Sequence, residues 1–232
     1  MKNFYRVIKY LLAMTVMIAL VILLAACATI PYSQDIPAKV VEWNEINVWK
    51  VMTDTERATA FWIDGNHLIT ACHAVDKAKR ISVQHSSRQW TVYATTEYCN
   101  DLLDIAILKY ASGKKDDLQG FTPLPMVIAD ETPKRGARVY SAGYTLSKIM
   151  QLNPGYIQDV MKWGLAFSVP TEKGDSGSPV IRYIDGVITV VGVRIAVAAY
   201  EVKFGIDLNI TYIAFMAPLE NLRTALKEYY GA

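Results

Sequence analysis

The chain has 232 residues, with 24 basic against 22 acidic side chains, 52% hydrophobic composition, three cysteines and three histidines. That is enough apolar chain to build a real core, which excludes both a disordered polymer and a small scaffold held together by cysteines. The slight basicity resides in the first few residues: without Lys2, Arg6 and Lys9 the balance is 21 basic to 22 acidic, and nothing points to nucleic acid as a partner.

Those three cations precede an uncharged apolar run from Tyr10 to Ala26, the pattern of a targeting segment that stands apart from the fold. The run ends in Leu24-Ala25-Ala26-Cys27, which looks like the lipobox of bacterial lipoproteins. On that reading residues 1–26 are a signal peptide, Cys27 becomes the lipidated first residue, and 27–45 form a tether to the membrane. The other reading is an uncleaved anchor, because roughly 17 apolar residues can just span a bilayer. Either way the remainder faces the periplasm or the cell exterior, since positive charge stays inside.

From Ile46 onward short runs rich in β-branched and aromatic residues follow one another: INVWKVM, ATAFWI, HLITA, RISVQH, QWTVYAT and DIAILKY. Turn residues such as Asp64-Gly65-Asn66 separate them, which predicts an antiparallel β unit over 46–112. Residues 113–130 are polar and then punctuated by proline, as a linker is. A second β unit is predicted over 131–216, from ARVYSAG, the region around GYIQDVMKWGLAFSV, SPVIRYI, GVITVVGVRIAVAAY and TYIAFMA. Over 217–232, Pro218 suits a first helical position and Leu219, Leu222 and Leu226 recur at helical spacing. The fold class is therefore all-β, with a C-terminal α-helix.

Candidate chemistry lies in three places. A serine hydroxyl is a weak nucleophile at neutral pH and needs a base, a carboxylate to orient that base, and donors for the oxyanion. Of the three histidines, His67 and His85 read as surface or half-buried residues in polar company, whereas His73 ends the apolar run Leu68-Ile69-Thr70-Ala71. Asp104 directly precedes the uncharged strand Ile105-Ala106-Ile107-Leu108, so its carboxylate enters the edge of a core and needs a partner there; Asp101 competes for the same role. In Gly174-Asp175-Ser176-Gly177-Ser178 the serine lies between glycines, which let consecutive N–H groups converge on one point. The amides of Gly174 and Ser176 are the expected donors. Taken alone, the stretch also suits an ordinary hairpin turn, and Ser178 excludes the G-x-S-x-G elbow.

Together these motifs resemble the trypsin-like, or chymotrypsin-fold, serine peptidases. TAFWIDGNHLITACHAV is similar to the segment that delivers the catalytic histidine, DLLDIAILKY to that of the aspartate, and TEKGDSGSPVI to the serine loop. RGARVYSAGY looks like the opening of the second barrel and VVGVRIAVAAY like the strand lining the cleft. The resemblance covers most of Ala58 to Leu226, and the chain order His, Asp, Ser is also the family's. It implies two antiparallel six-stranded β-barrels. It also implies His73 as general base, Asp104 as orienting acid, Ser176 as nucleophile, and Gly174 and Ser176 as oxyanion donors, with a protein or peptide as substrate and no cofactor or metal.

The chain departs from the family at Cys72, where alanine is usual, at Ser178, where a second glycine is usual, and at Ala58-Thr59-Ala60-Phe61, where many secreted bacterial members are glycine-rich. The position that often forms the base of the primary pocket is Pro170, and Lys173 and Arg194 are placed with it at the specificity pocket. A carboxylate there would select Lys or Arg; its absence points to a small or apolar side chain. No activation site is evident that would free an amino terminus for Asp175, which therefore needs another partner. Cys72 and Cys99 either pair as a disulfide or stay as two separate buried thiols. The functional expectation is a lipid-anchored serine endopeptidase of the cell envelope. The alternative is a catalytically inactive binding or scaffolding lipoprotein of the same fold.

Overall fold

The structure is a computed structural model that describes residues 36–85, 90–111, 118, 120–145, 149–161, 164–169, 172–201 and 210–231. The expected signal peptide (residues 1–26), Cys27 and Pro170 lie outside the described residues.

The first barrel is built from β1 (Val48–Thr53), β2 (Arg57–Trp62), β3 (His67–Thr70), β4 (Ile81–Gln84), β5 (Thr91–Asn100) and β6 (Ile105–Ala111). They close antiparallel in the order β1-β2-β3-β6-β5-β4. β2 and β3 are buried almost throughout and β6 over Ile105–Leu108, which explains their nearly unbroken apolar runs, whereas β4 and the start of β5 alternate. In β2, Ala58, Ala60 and Trp62 fill the barrel, while Phe61 joins the second core shared between the barrels. Thr59, on the same face as Phe61, is a fully buried polar residue. The barrel's mostly aliphatic core holds an aromatic cluster, in which Trp49 meets Trp62 edge-on at 5.4 Å and Phe121 at 5.2 Å. His85, expected at or near the surface, is instead 6% exposed. It stacks edge-on against Trp49, and its Nε2 donates to the Glu45 carbonyl at 2.7 Å.

The second barrel comprises β8 (Arg138–Thr145), β9 (Ile149–Met161), β10 (Gly164–Phe167), β11 (Pro179–Ile184), β12 (Val187–Glu201) and β13 (Ile210–Met216), preceded by the short β7 (Val127–Ile128). The order β11-β8-β9-β10-β13-β12 closes through a β11–β12 pairing, and β7 lies parallel to β12 outside that circle. So the end of the expected linker contributes a short strand.

Among the described residues two helices complete the fold. Residues 38–45, expected within the tether, form most of α1 (Ala38–Asn47). Val40 and Trp43, one turn apart, bury in the inter-barrel core and so draw this segment onto the body. Asn47 then clamps the linker, exchanging two 2.8 Å hydrogen bonds with the Leu124 backbone. The expected C-terminal helix is α2 (Leu219–Tyr230), which buries Leu219, Leu222 and Ala225 and ends on Gly231 in the left-handed conformation that suits a helix C-terminus. Among the described residues no helix is long and apolar enough to cross a membrane.

Candidate active site

His73 sits in a single 3₁₀ turn, Cys72–Ala74, at the end of β3, so a rigid strand delivers it. Its Nδ1 lies 2.8 Å from Asp104 Oδ2 and 3.0 Å from Oδ1, and its backbone N–H donates to the same Oδ1 at 3.0 Å. It is thus Asp104, and not Asp101, that meets the histidine. The turn before β6 explains how. Asn100 Oδ1 accepts the amides of Leu102 and Leu103, tightening the loop, and Asp104 takes a positive φ of 51°. Such backbone costs about 1–3 kcal/mol and persists where the surroundings impose it. Behind this turn, Asn221 Nδ2 of α2 donates to the Leu103 carbonyl at 3.4 Å.

The hydrogen bond to Asp104 raises the His73 pKa above its ordinary 6.5, against the opposing effect of burial. With 48% of its side chain exposed, the imidazole remains open on its far side. Cys72 and Cys99 are joined as a disulfide, with Cα atoms 5.3 Å apart, which ties the histidine turn to the end of β5 just ahead of the aspartate turn. The strand β5 runs on past the predicted QWTVYAT to bring Cys99 there.

The serine loop 172–178 is held against the first barrel. Gly177 has φ +84°, and a Cβ at that position would lie 2.2 Å from the Thr59 carbonyl, 2.3 Å from Thr70 Oγ1 and 2.9 Å from the Ala71 amide nitrogen. Only glycine fits, and the contact sets the loop beside the strand end that carries His73. Thr59 N–H donates to the Ser176 carbonyl at 2.8 Å, and Thr59 Oγ1 to the Gly174 carbonyl at 2.8 Å. Gly174 itself has φ +102°. Among the described residues no acceptor takes the amide hydrogens of Gly174 or Ser176. Ser178, the departure noted in the sequence, is fully buried facing Gly143: a Cβ on that glycine would sit 2.3 Å from Ser178 Oγ. A smaller residue on β8 thus makes room for the larger one in the loop.

Asp175 finds its partner inside the chain. Arg194 Nη1 lies 2.8 Å from Asp175 Oδ2, with the two side chains 2% and 3% exposed. The Glu172 amide donates to the same carboxylate at 2.9 Å, and the guanidinium sits 5.3 Å from the Phe167 ring centroid. Burial pulls the Arg194 pKa down to about 10, the Asp175 charge opposing it, so the cation persists at neutral pH. Arg194, expected at the specificity pocket, is therefore turned inward onto Asp175, while Lys173 is exposed on the outside of the loop. The residues the sequence did not single out are Thr59, Thr70 and Gly143. Their types are unremarkable, and only their positions across the two barrels give them a task.

Comparison with known proteins agrees with this fold. Residues 58–193 match the model of a family described as a trypsin-like peptidase domain. No curated protein matches the chain. The crystal structure of a serine-to-alanine mutant of Rv3671c from Mycobacterium tuberculosis H37Rv, in an inactive form, is similar at 22% identity and a TM-score of 0.66, covering 88% of this chain and 98% of that one. The active form of the Rv3671c protease is similar at 21% and 0.65, covering 82% and 83%. The serine endoprotease from Yersinia pestis is similar at 16% and 0.64, covering 84% and 68%. At such identities the likeness speaks for the fold.

Proposed function

Because this chain belongs to the trypsin-like peptidase family, whose model spans residues 58–193, we propose that it is a serine endopeptidase acting through His73, Asp104 and Ser176. The observation that carries the reading is the 2.8 Å contact between His73 Nδ1 and Asp104 Oδ2, at the strand end beside the serine loop. With Nδ1 donating to the carboxylate, the imidazole keeps its proton there and offers the lone pair of Nε2 to a hydroxyl.

The reaction follows from these roles. Ser176 Oγ attacks the scissile carbonyl carbon as Nε2 takes its proton; the carbonyl oxygen gains negative charge and the Gly174 and Ser176 amides receive it. Collapse expels the amine, which leaves with the proton from Nε2, and an acyl ester remains on Ser176. Water repeats the sequence from the other side, Nε2 taking its proton, to release the acid and restore the serine. The imidazole must be neutral to begin, so activity rises with pH through the His73 pKa.

A fluorophosphonate probe is expected to label the folded protein and to leave Ser176→Ala unlabelled, with His73→Ala labelled far more slowly. Labelling that survives in Ser176→Ala removes the serine from the mechanism. A folded wild type that takes no label points to the alternative, a binding protein of the same fold.

We also propose that the protein is a lipoprotein of the cell envelope, on the strength of Leu24-Ala25-Ala26-Cys27 and the cationic, then apolar residues before it. Metabolic incorporation of a fatty-acid analogue is expected in the wild type and should vanish in Cys27→Ala; label retained by the variant refutes this.

A further inference from the structure

We propose that Thr59 is a positioning residue that sets the oxyanion donors, acting through the serine loop without touching substrate; the inference rests on the peptidase reading above. Thr59 lies in β2 of the first barrel, is fully buried, and faces the second barrel rather than the interior of its own. A polar side chain at such a place is costly unless its hydrogen bonds are made.

They are all made, and each reaches a different part of the site. Thr59 Oγ1 donates to the Gly174 carbonyl at 2.8 Å and accepts the Tyr144 amide of β8 at 2.9 Å. Its backbone N–H donates to the Ser176 carbonyl at 2.8 Å, and its own carbonyl accepts from Thr70 Oγ1 at 2.7 Å. One residue thus pins the carbonyls of both expected donors, braced from β3 on one side and from the second barrel on the other.

The two peptide planes that Thr59 holds carry the Asp175 and Gly177 amides, and they flank the planes that bear the two donors. All peptide bonds in the described chain are trans, so each N–H points opposite to the carbonyl of its own plane. The plane between Gly174 and Asp175 is held by Thr59 Oγ1, and the plane between Ser176 and Gly177 by Thr59 N. The plane between them has its Asp175 carbonyl taken by the Ser178 amide at 3.0 Å, so the Ser176 N–H is turned to the opposite side. Loss of the Thr59 hydroxyl leaves the first of these planes held only by the Asp175 amide, which donates to the Glu172 carbonyl at 3.3 Å, so it can turn about the glycine and disturb the two planes next to it, which bear the Gly174 and Ser176 N–H donors. A donor swung out of line no longer meets an oxyanion, although substrate still binds through the rest of the cleft.

The test compares Thr59→Val, nearly the same shape without the hydroxyl, with Thr59→Ser, which keeps it. In Thr59→Val kcat is expected to fall by about 10-fold to 100-fold, less than the outright loss of one oxyanion donor, with KM changing less than about threefold. The inhibition constant of a peptide trifluoromethyl ketone, whose adduct carries the oxyanion, should weaken in parallel with kcat/KM, while that of a product peptide stays unchanged. Thr59→Ser should retain wild-type kcat to within about threefold, since a serine hydroxyl donates and accepts in the same way. Should Thr59→Val fail to fold, Thr59→Cys takes its place, because a thiol is a weak donor and the same pattern in reduced degree is expected.

A Thr59→Val or Thr59→Cys protein with unchanged kcat and unchanged ketone affinity overturns the proposal. So does a Thr59→Ser protein that loses as much as Thr59→Val, or a loss confined to KM. Failure of the peptidase reading is told apart at once, because then the wild type itself is not labelled by the fluorophosphonate.

Discussion

Asp104→Asn is expected to fold and to bind peptide, yet to turn over about 10³-fold to 10⁴-fold more slowly than the wild type. Asparagine keeps the shape of the side chain and is among the few residues that tolerate the left-handed backbone found at this position, φ 51°. What it changes is hydrogen bonding. In the wild type both carboxylate oxygens accept, one from the His73 backbone and both from Nδ1. An amide has a single oxygen; once that serves the backbone N–H, its NH₂ faces Nδ1. The imidazole then moves its proton to Nε2 to present an acceptor, and the lone pair that should take the serine proton is gone.

The pH dependence follows with a definite sign. The carboxylate holds the His73 pKa above 6.5, so the acid limb of kcat/KM should lie above that value and move to lower pH in the variant. Stability moves in the complementary direction. A raised histidine pKa adds stability that is complete below the unfolded value and disappears as pH rises through the folded one. The difference in Tm between wild type and Asp104→Asn should therefore be larger near about pH 6 than near about pH 9. A variant within tenfold of wild-type kcat, or one whose acid limb does not move, is incompatible with Asp104 as the orienting group.

Arg194→Met should cost about 3–5 kcal/mol of stability, read from urea unfolding, because it leaves the Asp175 carboxylate buried without the guanidinium. The pair is 2% and 3% exposed, so water does little to replace what is removed. The protein that still folds should lose most of its activity, since Asp175 directly precedes Ser176 and its carboxylate also takes the Glu172 amide at 2.9 Å. Asp175→Asn combined with Arg194→Met removes both charges and should recover a large part of the lost stability, which makes the coupling measurable in a double-mutant cycle. Additive effects of the two substitutions, or a loss below about 1 kcal/mol in Arg194→Met, would mean that the ion pair does not hold the loop.

Much of this was readable in the sequence, and the reason is physical. Strands buried on one or both faces write their period into the order of apolar residues, which is why the twelve strands of the two barrels fall within the predicted β units. His73, Asp104 and the 174–178 loop stand out because their types are chemically unusual at the edge of apolar runs. Helix α1 did not stand out: KVVEWNEIN has no wide apolar stripe, and its burial depends on Val40 and Trp43 finding a core built from distant strands. His85 was misplaced because Trp49, which packs against it together with the nearby Trp90, comes from a strand distant in the chain. Thr59 and the pairing of Arg194 with Asp175 were hidden for the same reason. A threonine in a strand and an arginine in a strand carry no local sign of what they will face once the barrels close.

The inward turn of Arg194 has a bearing on timing. Asp175 receives its cation from β12, a strand of the same barrel, and that contact comes into being as the barrel closes through β11 and β12. On the proposed peptidase reading, the serine loop then has its counter-ion from within the fold and needs no cut to supply one. A cell that makes this protein would then govern it by where it is held and by which chains are brought within reach.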